Sequence, residues 1–590
     1  MAYLVNDPGE FADQAADGLA LAYGRFVRRV HGGVVRRRPL RPGAVAVVIG
    51  GGSGHYPAFA GLVGEGLAAG AAMGNVFASP SAQQICSIAR AVESGGGVLF
   101  SFGNYAGDVL NFAEAEARLD AEGVACVSLP VTDDVASAPD TERARRRGIA
   151  GGLVVYKVAG AAAEEGAELA EVARLAGATN DRTRSIGVAF SGCTLPGARE
   201  PLFSVPSGRM AVGMGVHGEP GIEERDALGV DELAALLVGA LWRESPVGSH
   251  QRGERVALVL NGLGAVKYEE LFVLYRSVAA LCAADGVVPV EPEVGELVTS
   301  FSMAGVSLSA CWLDDDLERL WRAPAMAPAF RRGALAPGSA YEEPQGGEVV
   351  VRDAITSSPD SSPAGARVVD ADDGSRAAAR VVAAGLARAA AALSAAKESL
   401  GRYDAVAGDG DHGIGMERGS AAAAAMAARL AAAGSGAGSV LAGAGAAWAD
   451  AAGGTSGALW GLGLRRAGAR LGDTGAPGAA AVADALDEAG AAVAAAGGAV
   501  EGDKTMLDAL LPFARALRAA LRAGADLGAA WTAAAHNAAE AAEVTAALVP
   551  RAGRARVHGE KSRGTPDPGA VSFALVVDAA GRVGEAGGDA

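Results

Sequence analysis

The chain changes character once along its length, and that change limits the folds open to it. Up to about Arg332, short β-branched apolar runs alternate with stretches rich in Ala, Leu and Glu. Ala44–Ile49, Gly97–Phe102, Val124–Pro130, Gly152–Val158, Ile186–Phe190 and Val256–Leu260 lack strict polar alternation. They are predicted to be strands covered on both faces. Strands separated by helical stretches imply an α/β domain with mixed, mostly parallel sheets. From Ala334 to about Gly374, Pro, Ser, Gly and Asp dominate, which predicts a linker with at most one short strand, Glu348–Arg352. Beyond it, Ala stripes carry Leu or Val at three- and four-residue spacing. That pattern predicts an all-α domain of about eight amphipathic helices, with Ala seams that let them approach closely.

Composition narrows the partners. The net charge is −17, so a nucleic acid or an anionic membrane is not expected as the main partner. An anionic ligand must then be held by backbone amides, a metal or a few cations. Only five lysines occur: Lys157, Lys267, Lys397, Lys504 and Lys561. The five cysteines include no CxxC pair, which fits buried free thiols in a reducing compartment. Met1–Glu10 does not read as a signal peptide, and no run of eighteen uncharged apolar residues reads as a membrane span. A cytoplasmic protein is expected. Glycine stands at 85 of 590 residues, about twice the usual ~7%, so its placement matters.

Several motifs use that glycine. The run Ala44–Ile49 leads into Gly50-Gly51-Gly52-Ser53-Gly54-His55-Tyr56-Pro57. Such a turn frees the backbone amides to face an oxygen-rich ligand, and Pro57 suits the first turn of a following helix. A tight structural turn is the plainer alternative. Gly213-Met214-Gly215-Val216-His217-Gly218 matches GxGxxG, but Glu219-Pro220-Gly221 follows it, which is a turn and not a helix. The dinucleotide reading fails on that context. His217 instead stands in a loop whose glycines admit a ligand close to the imidazole. Asp108 follows the run Gly97–Phe102, at the strand end where α/β sheets place ligands. It is a candidate general base or the cap of a helix from Val109.

The sharpest signal lies in the second domain. Asp404, Asp409 and Asp411 stand at spacings of five and two with Gly between them, and His412-Gly413 follows. Carboxylates this close repel unless cations sit among them, and oxygen ligands suit a hard divalent ion such as Mg²⁺. The residues lack an EF-hand pattern, and no Walker A motif occurs. Gly453-Gly454-Thr455-Ser456-Gly457 suits phosphate oxygens, Gly502-Asp503-Lys504-Thr505-Met506 offers a lysine, and Asp567-Pro568-Gly569 forms a turn.

With these residues in view, the chain resembles the fused dihydroxyacetone kinase family over nearly its whole length. The matching strings are GGGSGH, Gly74–Ser81, Asn104–Phe112, Arg146–Gly151, Met214–Gly221, GDGDHG, GGTSG, Gly502–Leu510 and DPGA. The resemblance implies a DhaK-like ketose-binding domain over 1–333, a linker over 334–374 and a DhaL-like eight-helix barrel that binds ATP over 375–590. It implies that His217 holds a short ketose covalently as a hemiaminal. Gly52, Ser53, Gly54 and His55 would line the pocket, with His55 on the substrate, and Asp108 would take the proton from the terminal hydroxyl. Asp404, Asp409 and Asp411 would hold two Mg²⁺ ions. His412, Gly413, Thr455, Ser456, Lys504, Thr505, Met506, Asp567, Pro568 and Gly569 would surround ATP. A homodimer is implied, in which one chain's nucleotide domain can serve the other's substrate domain.

The departures bear on substrate. Tyr56 stands where the family usually has Glu, and Gly103 where Lys is common. Both flank the expected pocket, and the added room at Gly103 suits a four-carbon ketose such as erythrulose as well as dihydroxyacetone. Gly553–Val557 departs from the usual base-proximal string. Two other readings stay open: an FAD-splitting lyase or cyclase side activity, and a non-catalytic ketose sensor. The sensor would be expected to lack His217, Asp108 or the Asp triad, all of which are present.

Overall fold

The computed structural model describes residues 3–198, 200–246, 252–333, 371–406, 408, 410–552, 559 and 561–582. The chain divides into two compact units, Met1–Thr356 and Ser357–Ala590. Most of the segment read as a linker, the strand expected at Glu348–Arg352 and the string Gly553–Val557 lie outside the described residues. The end of that segment opens the helix Asp373–Asp404, whose first turn is capped by Asp372, accepting from the Ser375 amide at 2.8 Å.

The first unit holds two large sheets. In one, Gly70–Val76, Ala46–Ser53, Val98–Gly103 and Cys126–Val131 lie side by side and parallel. Gly33–Arg36 and Val27–Val30 extend that sheet antiparallel at one edge. In the other, Arg255–Gly262, Gly305–Trp312, Thr183–Ala189, Arg209–Val212 and Glu223–Asp226 are successive antiparallel neighbours. Val288–Pro289 and Glu293–Gly295 pair with Arg255–Gly262 in parallel. The parallel pattern read from the sequence is that of the first sheet. A strand buried on both faces, as Gly305–Trp312 is at every position, has the same apolar run in either direction.

One expected strand is a helix. Gly152–Val158 opens the helix Gly152–Glu165, in which every residue from Gly152 to Ala163 is buried. It shares a core with Val47, Ile49 and Leu99 of the first sheet and Ala257, Val259 and Cys311 of the second. A helix buried all round loses the polar face that would mark its period, so it reads like a buried strand. The helix expected after Pro57 does not form; the chain makes only a short 3-10 turn, Ala60–Leu62.

The second unit is helical. Among the described residues it comprises Asp373–Asp404, His412–Ala432, Ala437–Ala452, Gly454–Leu471, Ala479–Gly497, Leu507–Arg522, Leu527–Val544 and Pro568–Gly581. The first of these is long and apolar enough to cross a membrane by length and composition, and here it packs Leu386, Ala389, Leu393 and Leu400 into the helical core. Ala437–Ala452 and Gly454–Leu471 meet along a glycine seam. A Cβ on Gly445 would lie 2.8 Å from the Gly461 carbonyl oxygen, and one on Gly461 would lie 2.7 Å from that of Gly445. Gly438 and Gly468 repeat the pattern at 2.7 and 2.6 Å. Each position admits only hydrogen, because the obstacle is backbone and cannot rotate away. Gly461→Val is therefore expected to cost ~1–3 kcal/mol or more and to lower the unfolding midpoint of the helical unit by several degrees. Gly463→Ala on the same helix faces only an ordinary contact, 3.5 Å from Val493, and should leave the midpoint unchanged or raised. Equal midpoints for the two variants in thermal denaturation would refute the seam.

Candidate functional site

In the first unit the polar centre forms where strands of both sheets end. Ala46–Ser53 runs into the glycine turn, and its pairing with Gly70–Val76 slips register between Gly51 and Ser53. Bulges of this kind re-aim a strand end beside a site. The glycines there make room for aromatic rings. A Cβ on Gly51 would lie 2.4 Å from Phe59, one on Gly52 2.8 Å from the Phe77 backbone, and one on Gly54 2.5 Å from Phe301. Ser53 is buried and its hydroxyl donates to the Gly74 carbonyl at 2.7 Å. The turn so built presents His55.

His217 arrives from the opposite side, on the loop joining Arg209–Val212 to Glu223–Asp226. The Nε2 atoms of His55 and His217 are 3.1 Å apart. Nδ1 of His55 is 2.7 Å from the Thr299 carbonyl, and Nδ1 of His217 is 3.1 Å from Oε1 of Glu219. Carbonyl and carboxylate oxygens only accept, so both Nδ1 atoms carry hydrogen. A hydrogen bond between the two facing Nε2 atoms then requires one proton between them. The Phe77 ring stacks on His55 at 4.8 Å and meets His217 edge-on at 5.0 Å. The Tyr105 ring stands perpendicular to His217 at 4.9 Å. The imidazoles are thus fixed in an aromatic box.

Asp108 stands close by in the chain. The helix it enters starts at Ala106, after Tyr105, so Asp108 is the third helical residue and not the cap of a segment from Val109. It is buried, in the first turn, where the helix dipole favours a carboxylate. Its charge lies near Tyr156, whose phenol is pushed up by burial and then by Asp133 and Asp108. The room expected at Gly103 is taken: a Cβ there would lie 2.9 Å from the Tyr105 ring. Tyr56 is 45% exposed, and its hydroxyl is raised by burial and by Tyr23 beside it.

Sequence reasoning assigned no role to the residues behind His217. Glu219 is buried, and its Oε2 accepts the His217 backbone amide at 3.0 Å. Arg147 lies 3.9 Å from that oxygen and pairs with buried Asp134 at 2.7 Å. Burial alone would raise the Glu219 carboxyl, but His217 and Arg147 outweigh it and hold it well below the usual carboxylate range. The only signal in the sequence was that Glu219 lies two residues from His217.

In the second unit several helix ends carry the expected nucleotide residues. Asp404 closes Asp373–Asp404, and its Oδ2 accepts the His412 amide at 3.2 Å, at the start of His412–Ala432. His412 Nε2 is 3.0 Å from the Ser572 hydroxyl, and Asp567 caps the same helix, Pro568–Gly581, by accepting from Ala570 at 2.7 Å. A Cβ on Gly413 would lie 2.0 Å from the Lys397 carbonyl, and one on Gly569 3.4 Å from Met506. Thr505 and Met506 immediately precede the helix Leu507–Arg522, with the Thr505 amide on the buried Asp508 carboxylate at 2.8 Å. Thr455 and Ser456 fall in the first turn of Gly454–Leu471, with Ser456 exposed.

Lys504 has a different task from the one expected. It is buried, and its ammonium donates to the carbonyls of Ser562 at 2.7 Å and Leu548 at 3.2 Å. Those bonds tie the loop before Pro568 to the turn before Leu507. The carboxylates are the dominant charge. Burial and then Asp404 raise Asp411, and burial raises Asp567 to about 7, with Asp508 and Asp404 adding to it. Carboxyls raised first by burial and then by anionic neighbours suit a hard cation, which relieves the repulsion among them. Among the described residues no three His, Cys, Asp or Glu side chains form a ready metal cluster; Asp409 lies outside them.

The comparisons agree with this division. A Dak1 domain model matches residues 17–329 and a DAK2 domain model matches residues 406–582. The L-erythrulose kinase of Pectobacterium atrosepticum is 55% identical, over 99% of this chain and 96% of its own length. The D-erythrulose kinase of Mycolicibacterium smegmatis is 52% identical, over 98% and 97%. The crystal structure of the dihydroxyacetone kinase from C. freundii in complex with AMP-PNP and Mg²⁺ is 30% identical, covers 98% of both chains and superposes with a TM-score of 0.51.

Proposed function

The chain belongs to the dihydroxyacetone kinase family, and from that premise we propose that it is an ATP-dependent kinase that phosphorylates a terminal hydroxyl of erythrulose. The observation that carries the reading is His217, a ring nitrogen presented with His55 in an aromatic box at the strand ends. A nucleophile there selects a carbonyl compound over a polyol, because only the carbonyl can accept the nitrogen lone pair. His55 orients the carbonyl oxygen. Asp108 takes the proton from the hydroxyl that receives phosphate, a role that suits a buried carboxylate at a helix start. Binding and orientation of this kind supply most of the catalysis in phosphoryl transfer.

Asp404, Asp409 and Asp411 hold two Mg²⁺ ions in this reading, and bound Mg²⁺ neutralises phosphate charge. His412, Gly413, Thr455, Ser456, Thr505, Met506, Asp567, Pro568 and Gly569 enclose the nucleotide, with Lys504 bracing the enclosure from behind. The residues 1–333 and 375–590 serve as ketose and nucleotide domains of a homodimer. A cytoplasmic location fits the five free cysteines. The activities of these relatives favour the kinase over nucleotide splitting or mere sensing.

The supporting argument for erythrulose is the full-length similarity to kinases named for both its enantiomers. Gly103 adds nothing to it, since Tyr105 fills that space. The test is a coupled ADP-release assay over D-erythrulose, L-erythrulose, dihydroxyacetone, glyceraldehyde and glycerol. One erythrulose enantiomer should give the highest kcat/KM and glycerol none. Ketose-independent ADP release, or equal turnover of glycerol, would refute the reading.

A further inference from the structure

We propose that Glu219 is the positioning residue that makes His217 a nucleophile, by holding the proton on Nδ1 so that Nε2 can present a lone pair to the ketose carbonyl. The inference rests on the covalent role assigned to His217 above. It starts from the short link His217-Gly218-Glu219, which folds the carboxylate back onto its own neighbour. Oε2 takes the His217 backbone amide at 3.0 Å and Oε1 faces Nδ1 of the ring at 3.1 Å. The two contacts fix both the loop and the ring.

The rest of the network fixes the carboxylate. Arg147 stands 3.9 Å from Oε2, its Nη2 donates to the Gly213 carbonyl at 3.0 Å, and its Nε donates to Oδ2 of Asp134 at 3.0 Å. Asp134 also accepts the Ala136 amide at 3.0 Å. Gly215 is required for this arrangement. A Cβ there would lie 2.1 Å from Oε2 of Glu219 and 2.6 Å from Nη1 of Arg147. One glycine of the GxGxxG string therefore admits a buried ion pair and not a dinucleotide phosphate.

The step balances. The Nε2 lone pair of His217 forms the bond to the carbonyl carbon. The carbonyl π pair moves to oxygen, which takes the proton shared by the two Nε2 atoms. His55 is left neutral, and His217 becomes an imidazolium bonded through Nε2 with Nδ1–H still on Glu219. The positive charge then rests on the adduct, beside the Glu219 carboxylate. Without that carboxylate, either nitrogen of His217 could carry the proton, and the Nε2–H tautomer has no lone pair to offer.

The test uses the full chain with Mg²⁺–ATP and the preferred ketose. Glu219→Gln should lower ketose kcat/KM by about 10²–10⁴-fold, as loss of a tautomer-fixing carboxylate does elsewhere. It should also abolish the mass increase of one bound ketose in native mass spectrometry, while AMP-PNP affinity and the KM for ATP stay unchanged. Glu219→Asp should restore part of the loss. A Gln variant with wild-type ketose kcat/KM and adduct would overturn the proposal. If the Gln variant does not fold, ¹⁵N chemical shifts of the wild-type histidines decide: protonated Nδ1 on His217 supports it, unprotonated Nδ1 refutes it. That measurement needs no ketose, so it separates failure here from failure of the kinase reading, which would show as wild-type protein giving no ketose-dependent ADP release.

Discussion

His217→Ala is expected to abolish ketose phosphorylation while nucleotide binding in the helical unit continues. In the proposed mechanism this residue bonds the carbonyl while its neighbour His55 only orients it, so its loss removes the covalent attachment outright. Positioning of a reacting group accounts for ~7–11 kcal/mol of barrier lowering in well-oriented systems. A ketose held only by hydrogen bonds retains part of that. A fall in kcat/KM on the order of 10³-fold or more is therefore expected, with the ketose adduct missing from the native mass spectrum. Asp108→Asn should behave differently: the adduct persists and kcat falls by ~10²–10⁴-fold, since only the proton acceptor is lost. His217→Ala with unchanged ketose kinetics would eliminate the covalent role. Loss of the adduct in Asp108→Asn would move Asp108 from proton transfer to ketose binding.

Asp411→Asn is expected to lose nucleotide and gain stability at once. If the Asp404–Asp411 group holds Mg²⁺–nucleotide as proposed, removing a charge weakens that hold, and a raised Kd for Mg²⁺–AMP-PNP on the order of 10²-fold is the expected reading, ~3 kcal/mol. The stability effect has the opposite sign. Asp411 is raised in the fold by burial and Asp404. A carboxyl raised in the fold binds more protons there than in the unfolded chain, so stability falls as pH rises from the ordinary carboxylate range to the raised value. The full penalty stands above that value. In metal-free protein the Asn variant should therefore melt higher than wild type at pH 8 and about equally at pH 4. A variant that melts lower at pH 8 would make Asp411 a structural residue. Normal Mg²⁺–AMP-PNP affinity in calorimetry would remove it from the site.

What the sequence made legible follows from which physics is local. The division into an α/β unit and a helical unit was readable because hydrophobic period and linker chemistry are local properties. Strand direction in the second sheet was not, since pairing partners lie far apart in the chain. Gly152–Val158 misled because total burial erases the polar face of a helix. Among the candidate site residues, His217, His55 and Asp108 were marked by the glycines around them. Lys504 was marked by its rarity, yet its buried ammonium serves two carbonyls that only the folded loop brings near. Arg147 and Asp134 lay beyond reach, because nothing in their neighbourhood points to a carboxylate 72 positions downstream of Arg147.

The glycine seam has a consequence for how the helical unit tolerates change. Gly453 alone separates Ala437–Ala452 from Gly454–Leu471, and the two reciprocal glycine contacts repeat seven residues apart along both helices. The start of the second helix, with Thr455 and Ser456, is therefore registered by main chain against main chain. Where those glycines meet, the obstacle is main chain and no rotamer change relieves it, although the Trp448 and Trp460 rings stack between the same two helices at 4.6 Å. In a saturation library, Gly438, Gly445, Gly461 and Gly468 should reject nearly every substitution, while the surrounding alanines accept many. An engineer redesigning the helical unit would have to work at other positions and leave this hairpin as it is.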